Sequence, residues 1–421
     1  MRIAITSDTY QPMTNGVAVF TANLARGLAK QGNDVVVIIP STSGKKHTKV
    51  DCDGRLKEVY LTSKRFPFYP DQIHEIPEER RIFGIKIPRV TYKNGMWLAV
   101  KPRKEMKKIL DKFKPDVIHS QQAGTIGLAA AHYAKEQDIP FVSTGHSYPD
   151  NYTGQFKLLK PIKKPVDAAV KAYLTNYMKN GEYATMPTEM AINDLVPKQS
   201  KRFKVEVEAL SNGIDLSRFK PHSPDSTVCK KYQIDPSKQR VLYVGRVDPE
   251  KSINVVIEAF SKIVKDFPRA EFIIVGDGVA KGKLEEEVEE LGLNDRIRFL
   301  GKIMPPELID VYRSGTVFAT ASETETQGIV LIEAAAIGLP LIAVDAGAVK
   351  ELCQNGRNGI LCHPGDVNGI ARAMRKILSD KKLQAQYSAE SIEIAKKHDL
   401  NHTLKRFLEI YQMAIDAQES L

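Results

Sequence analysis

Hydrophobic residues along this chain fall into two alternating patterns. Unbroken apolar runs of strand length occur at RIAITS (2–7), DVVVIIP (34–40), RVLYVG (240–245) and EFIIVGDG (271–278). After the first and third of these, VAVFTANLARGLAKQG (17–32) and INVVIEAFSKIVKDF (253–267) space their apolar residues three and four apart, and the first ends on Gly32. A continuous β-branched run suits a strand buried on both faces of a parallel sheet, and helical spacing between two such runs supplies the crossover. A βαβ unit is therefore predicted at the start of the chain and another from residue 240. Strand and helix patterns continue after it through RIRFLG, VFATAS, GLPLIAVD and GILCHPGD. The fold class predicted is α/β, with two successive Rossmann-like, doubly wound domains.

The stretch VEALSNGIDLSRFKPHSPDSTV, rich in Ser, Pro, Gly and Asp, marks the join. The reading assigns 1–208 to an N-terminal domain and 209–399 to a C-terminal one, with a last helix over about 400–421 long enough to return to the first domain. Residues 41–100 carry Pro67, Pro70, Pro77 and Pro88 and are expected to hold strands and excursions in no predicted order. At 421 residues, with 42% hydrophobic and 27% charged, the chain can bury two cores. No run of about 18 apolar residues is present, and MRIAITSDTY reads as a first strand rather than a signal peptide, so a cytoplasmic protein is expected. The cysteines Cys52, Cys229, Cys353 and Cys362 form no C-x-x-C pair and suggest neither a disulfide framework nor zinc. Charge is uneven: up to residue 210 there are 33 Lys and Arg against 21 Asp and Glu, and beyond it 28 against 30. A basic first half suits a polyanionic surface. Without a helix-turn-helix, zinc-finger or aromatic-basic RNA motif, nucleic acid is not the expected partner.

Chemistry concentrates in the second half. Neither βαβ unit carries G-x-G-x-x-G, but YVGRVDPEKS places Gly245, Arg246 and Lys251 after a strand, where open α/β sheets bind ligands. Arg as a fork and Lys as a point charge can both reach a diphosphate. ETETQGIVLIEAAAIGLP follows another strand and opens a helix, whose backbone N–H groups near Gln327, Gly328 and Ile329 suit an anion. Glu325 falls just outside that helix end and Glu333 inside it, roughly 7 to 8 Å deeper at 1.5 Å per residue. Carboxylates beside a diphosphate repel it, so their use is to accept hydrogen bonds from hydroxyls.

GRVDPEKS, VGDG, ETETQGIVLIEAAAIGLPLIAVDAG and NGILCHPGD, in that order, resemble the C-terminal half of the retaining glycosyltransferase family 4, with the GT-B fold of two domains facing across a cleft. SDTYQPMTNGVAVF, PDVIHSQQ, STGHSYPDNY, MPTE and SNGIDLSRF resemble the family's N-terminal and hinge segments. The resemblance implies roles. Glu325 meets the donor sugar and Glu333 the nucleotide ribose. Arg246 and Lys251 hold the diphosphate, the loop at Asn15 and Gly16 approaches phosphates and sugar, and His146 faces the donor sugar. Two positions depart from the family pattern: Asn15-Gly16 and Ala346-Gly347 stand where it has Gly-Gly. Asn tolerates unusual φ, so the first loop is expected still to turn tightly.

The family likeness further implies a retaining hexosyl transfer without metal, and no His/Cys cluster or convincing D-x-D argues otherwise. Glycosidase chemistry is disfavoured, because Glu333 sits too deep to share a bond with Glu325. HSYPDNY, the basic stretch after it, and ETQG in place of EGFG resemble the subgroup that glycosylates diacylglycerol. A UDP-linked donor, with glucose preferred, and a lipid acceptor are therefore implied. The alternatives are a GDP-mannose-dependent mannosyltransferase, for example on phosphatidylinositol, and a GT-B sugar-nucleotide epimerase. Residues 156–177 interleave Lys157, Lys160, Lys163, Lys164 and Lys171 with apolar positions, and 166–178 are expected to be helical with Val166, Val170, Tyr173 and Leu174 on one face. This segment is the expected contact with an anionic membrane, on whose cytoplasmic face the protein sits peripherally.

Overall fold

The computed structural model describes residues 1–13, 15–65, 73–82, 85–92, 97–146, 163–196 and 205–420. They form two compact units, Met1–Ser211 with Thr403–Leu421, and Asn212–His402.

The first unit is built on an eight-stranded sheet. Its strands are β1 (Arg2–Thr6), β2 (Asp34–Pro40), β3 (His47–Asp51), β4 (Leu56–Leu61), β9 (Val117–Ser120), β10 (Phe141–Thr144), β11 (Tyr183–Met186) and β12 (Glu206–Ala209). Between these in sequence lie β5 (Ser63–Arg65), β6 (Ile73–Ile82), β7 (Ile85–Tyr92) and β8 (Trp97–Ala99). These pair as β5–β8 and as the antiparallel hairpin β6–β7. The order across the sheet is β12-β11-β10-β9-β1-β2-β4-β3, all parallel except β3 against β4. The winding reverses between β1 and β9, so the loops leaving these two strands flank a switch point. The irregular reading of 41–100 thus resolves into sheet-edge strands and two small antiparallel pairs.

The second unit is a six-stranded parallel sheet of β13 (Arg240–Val244), β14 (Glu271–Val275), β15 (Ile297–Gly301), β16 (Val317–Ala319), β17 (Leu341–Val344) and β18 (Gly359–Cys362). Its order, β15-β14-β13-β16-β17-β18, puts the switch point between β13 and β16. Alternation within these strands feeds two cores. Val241, Tyr243, Phe272 and Ile274 pack into one, and Leu242, Val244, Ile273 and Val275 into the other. That double burial is what the unbroken apolar runs encode.

Helix ends follow local chemistry. The helix Ile253–Ser261 stops six residues short of the expected 253–267. Its continuation tightens into turns closed by Ile263 N–H to Phe260 O and Asp266 N–H to Ile263 O. Pro268 accounts only for the far end of this stretch, because it disfavours the helical conformation at Phe267. The helix Lys163–Met178 includes three residues before the expected start at 166, Pro165 among them. The last helix, Leu400–Glu419, is separated from Lys381–Lys396 by a short break, as the sequence indicated at HDLNH. From Thr403 onward it packs on the first unit: Leu404 lies where Gly27 has no side chain, and Arg406 is bonded to Glu208 at 2.7 Å.

Candidate active site

At the switch point of the second sheet, two loops meet: the one after β13 and the one after β16. They are joined by an ion pair between Lys251 Nζ and Glu325 Oε1 at 2.6 Å, with Ser322 Oγ 3.4 Å from the same ammonium. Both side chains are largely covered, at 12% and 19% exposure. Burial works to raise the Glu325 carboxyl, but Lys251 and Ser322 outweigh it and hold the group below the usual carboxylate value. The site thus carries a fixed negative charge against a fixed positive one.

Close backbone approach makes this arrangement possible. A Cβ on Gly276 would stand 1.8 Å from Gly245 O, and one on Gly278 would stand 2.2 Å from Val247 O. The VGDG sequence therefore lets the 245–248 loop lie directly on the next strand end. Gly276→Ala is expected to destabilise the second unit by about 3 kcal/mol or more, since a backbone oxygen cannot step aside as a side chain can. Denaturant unfolding of the variant checks this; a loss under about 1 kcal/mol would contradict the packing.

Arg246 is exposed, and its guanidinium is engaged by Asp248 and, at 2.5 Å, by Glu250. The pair with Glu250 is the more exposed of the two, whereas the Asp248 carboxylate is largely covered and also accepts from Val279 N–H at 3.1 Å. Glu325, Gln327 and Gly328 lead into the helix Ile329–Ile337. Gly328, at φ 80°, is its N-cap and supplies no side-chain acceptor to the first turn. The Gln327 side chain accepts from Asn212 N–H at 3.3 Å. Glu333, the fifth residue of the helix, has a different partner from Glu325: Tyr312 Oη donates to Glu333 Oε2 at 2.7 Å. Burial pushes the Glu333 carboxyl up to about 7, against the lowering effect of the Tyr312 bond. Gly347, at φ 54°, brings its backbone against Glu323 and Glu325, where a Cβ would stand 3.1 Å from both carbonyl oxygens. The position in Ala346-Gly347 that needs glycine has it.

In the first unit, Asn15 differs from expectation. Its backbone is extended, at φ −80° and ψ 160°, and its side chain caps the helix Gly16–Lys30 by accepting from Ala18 N–H at 2.8 Å. An Asn that caps needs no unusual φ, so the tolerance expected of it is not used, and Gly16 begins the helix. Phe20 on that helix lies 5.3 Å from the His146 ring. His146 Nε2 is 2.9 Å from Gln121 Oε1, and burial lowers the imidazole to about 3, so it is neutral. Residues 147–152 of SYPDNY, and 156–162 with Lys157 and Lys160, lie outside the described residues.

The helix Lys163–Met178 corrects one expectation. Pro165, Val166, Ala169, Val170 and Tyr173 line a shallow apolar groove, whereas Leu174 packs inward against the cluster of Met178, Ala184 and Met186. Tyr173 is 44% exposed and donates to Ala123 O. Several contacts had no sequence signal: Tyr312 on Glu333, Ser322 on Lys251 and Gln121 on His146. The acids on Arg246 were visible within VDPEK, yet nothing in the spacing gave their role.

Among the described residues no group of three or more His, Cys, Asp or Glu could hold a metal ion, and no helix is long and apolar enough to cross a membrane.

Residues 14–218 match the model of Glycosyltransferase Family 4, and 226–394 that of Glycosyl transferases group 1. The chain is 30% identical over 367 residues to an alpha-monoglucosyldiacylglycerol synthase of Acholeplasma laidlawii, covering 86% of this chain and 84% of that one. It is 28% identical over 350 residues to the enzyme of the same name from Streptococcus pneumoniae, covering 82% and 71%. Among solved structures it is similar to sucrose-phosphate synthase from Thermosynechococcus elongatus, with TM-score 0.75, 19% identity and coverage of 99% and 100%. It is also similar to Anabaena HepE in complex with UDP, with TM-score 0.70, 16% identity and coverage of 98% and 100%.

Proposed function

Because the chain belongs to glycosyltransferase family 4, with two Rossmann-like units of the GT-B kind, we propose that it transfers glucose, with retention, from UDP-glucose to diacylglycerol or a closely related membrane lipid. The observation that carries the donor half is the Lys251–Glu325 pair at the β13/β16 switch point, beside a helix start without a side-chain cap. The relatives named for glucosyl transfer to diacylglycerol support the acceptor half.

In this reading Lys251, Arg246 and the N–H groups at the start of the Ile329–Ile337 helix meet the diphosphate. Glu325 accepts hydrogen bonds from the sugar, and Glu333 from the ribose. Two hydroxyls donating to Glu333 favour its ionised form and pull it down from about 7. The bond from the anomeric carbon to the diphosphate oxygen breaks as the bond to the acceptor oxygen forms on the same face. The acceptor's proton passes to the departing oxygen. Charge on the leaving group is met by fixed cations and backbone dipoles, which are already oriented when that charge develops. No divalent cation is needed for this, so activity is expected to persist in EDTA.

The test is incubation with UDP-glucose, UDP-galactose or GDP-mannose and diacylglycerol vesicles, with and without EDTA, followed by mass spectrometry and anomeric NMR of the lipid. A glucolipid with the donor's α configuration is expected. An epimerised sugar nucleotide, or a lipid product only from GDP-mannose, would overturn the assignment.

The lipid must reach this site from a bilayer, and the helix Lys163–Met178 supports a docking role. Its groove of Pro165, Val166, Ala169, Val170 and Tyr173 lies on the same helix as exposed Lys164 and Lys171. Each Lys near an anionic surface contributes about 1 kcal/mol. Replacing Lys157, Lys160, Lys163 and Lys164 by Glu is expected to weaken co-sedimentation with anionic vesicles by about tenfold or more, while raised salt weakens the parent protein similarly. Equal binding to neutral and anionic vesicles would remove this helix as an electrostatic anchor.

A further inference from the structure

Gln121 follows β9 and is fully buried, with its backbone N–H donating to Thr6 O at 2.8 Å. Its side chain lies between two histidines. The amide oxygen is 2.9 Å from His146 Nε2, and the amide nitrogen is 3.0 Å from His119 Nε2 and 3.3 Å from His119 Nδ1. An atom at such similar distances from both ring nitrogens sits over the face of the imidazole, because in the plane Cε1 would block it. The in-plane positions are already taken, by Tyr411 Oη at 2.6 Å from Nδ1 and Thr144 Oγ1 at 2.7 Å from Nε2.

This geometry fixes which end of the amide is which. The face of an aromatic ring is its negative region, so it favours an N–H and repels a carbonyl oxygen. The amide nitrogen therefore belongs on His119 and the oxygen on His146, an orientation set by the network around it. A carbonyl oxygen only accepts, so His146 Nε2 must carry the proton in this bond. In a neutral ring the other nitrogen then has the lone pair.

We propose that Gln121 is a positioning residue that sets the tautomer of His146, with Nε2 protonated and Nδ1 bare, so that the imidazole meets its substrate as a hydrogen-bond acceptor for a hydroxyl. The substrate's identity as a sugar rests on the transferase reading; the tautomer does not. His119 is the backing that orients Gln121. Tyr411, from the last helix, is buried and must place its O–H somewhere; donation to His119 Nδ1 leaves Nε2–H to donate to Thr144.

The test is a long-range proton–nitrogen NMR spectrum of the full chain labelled at its nine histidines, with His146→Gln assigning the resonance. A neutral His146 protonated at Nε2 is expected in the parent protein. In Gln121→Met, which keeps bulk but removes the acceptor, that preference is expected to relax to a mixture of tautomers. Turnover should fall roughly 10- to 100-fold with KM for the nucleotide sugar held. An Nδ1–H form or an imidazolium in the parent protein overturns the proposal, and so does a Gln121→Met spectrum identical to the parent's. If Gln121→Met does not fold, the parent spectrum decides alone. If no nucleotide sugar is turned over, the transferase reading falls while the spectrum still decides the role of Gln121.

Discussion

Lys251→Ala is expected to lower turnover by roughly 100- to 1000-fold, the loss typical of removing one preorganised donor from a developing anion. Lys251 is held by Glu325 at 2.6 Å before any ligand arrives, so its ammonium need not be gathered from solvent during the reaction. Glu325→Gln should fall into the same range: it keeps the shape but removes the charge that fixes Lys251. Because the two act through one contact, the double variant is expected to lose less than the product of the single losses. The pairing under cover also carries a cost to the fold, since each single substitution leaves the other charge largely buried and without its partner. Turnover must therefore be measured well below the unfolding midpoint of each variant, and the double variant should regain stability. Near-parent turnover in either single variant, or strictly multiplicative losses in the double, would remove the pair from the chemistry.

How much of this was legible in the sequence depended on the range of the interaction concerned. The unbroken runs at 34–40, 240–245 and 271–278 identified strands buried on both faces, because double burial leaves no polar alternation. Helix stops were visible where one glycine decides them, as at Gly32, whose φ of 90° follows the helix Gly16–Lys30. Long-range partners were not visible. Tyr312 reaches Glu333 from 21 positions away, and Tyr411 reaches His119 across 292. Neither is distinguishable in sequence from an ordinary core tyrosine. Periodicity also placed Leu174 with Val166 and Val170 on one face, yet neighbouring Met178 and Met186 draw it inward. A face assigned by spacing names the direction of a side chain, but not which neighbour claims it. The sheet order was equally hidden: only the assembled β15-β14-β13-β16-β17-β18 arrangement explains why two loops 74 residues apart, at Lys251 and Glu325, meet.

The first unit is expected to lose stability as pH falls below about 6.5, and His119 is the reason. Burial, with His146 nearby, lowers its imidazole to about 3, so it is neutral when folded. Both ring nitrogens are engaged, by Tyr411 and Thr144, and with Tyr411 donating to Nδ1 a second ring proton enters only if that buried hydroxyl turns from donor to acceptor. The unfolded chain takes up a proton at this residue below about 6.5 and the folded chain does not. The stability its neutral form provides is thus fully present above that pH and drains away as pH falls toward about 3. The slope is about 1.4 kcal/mol per pH unit for one such proton, or about 2 kcal/mol between pH 6.5 and 5. His146, lowered to about 3 by burial, adds to it with the same sign. Asp8 opposes it: burial raises its carboxyl, so its contribution is present at low pH and is lost as pH rises above the unfolded value. That opposing contribution is common to the parent and a His119→Gln variant, so it cancels in their difference. Trp97, the single tryptophan, belongs to the first unit and reports its denaturant unfolding. His119→Gln costs stability at neutral pH through lost contact with Phe407, 4.9 Å away, but its stability should fall less steeply between pH 7 and 5. Parallel pH profiles for the two proteins would mean that residue 119 is not the group whose protonation opens the unit.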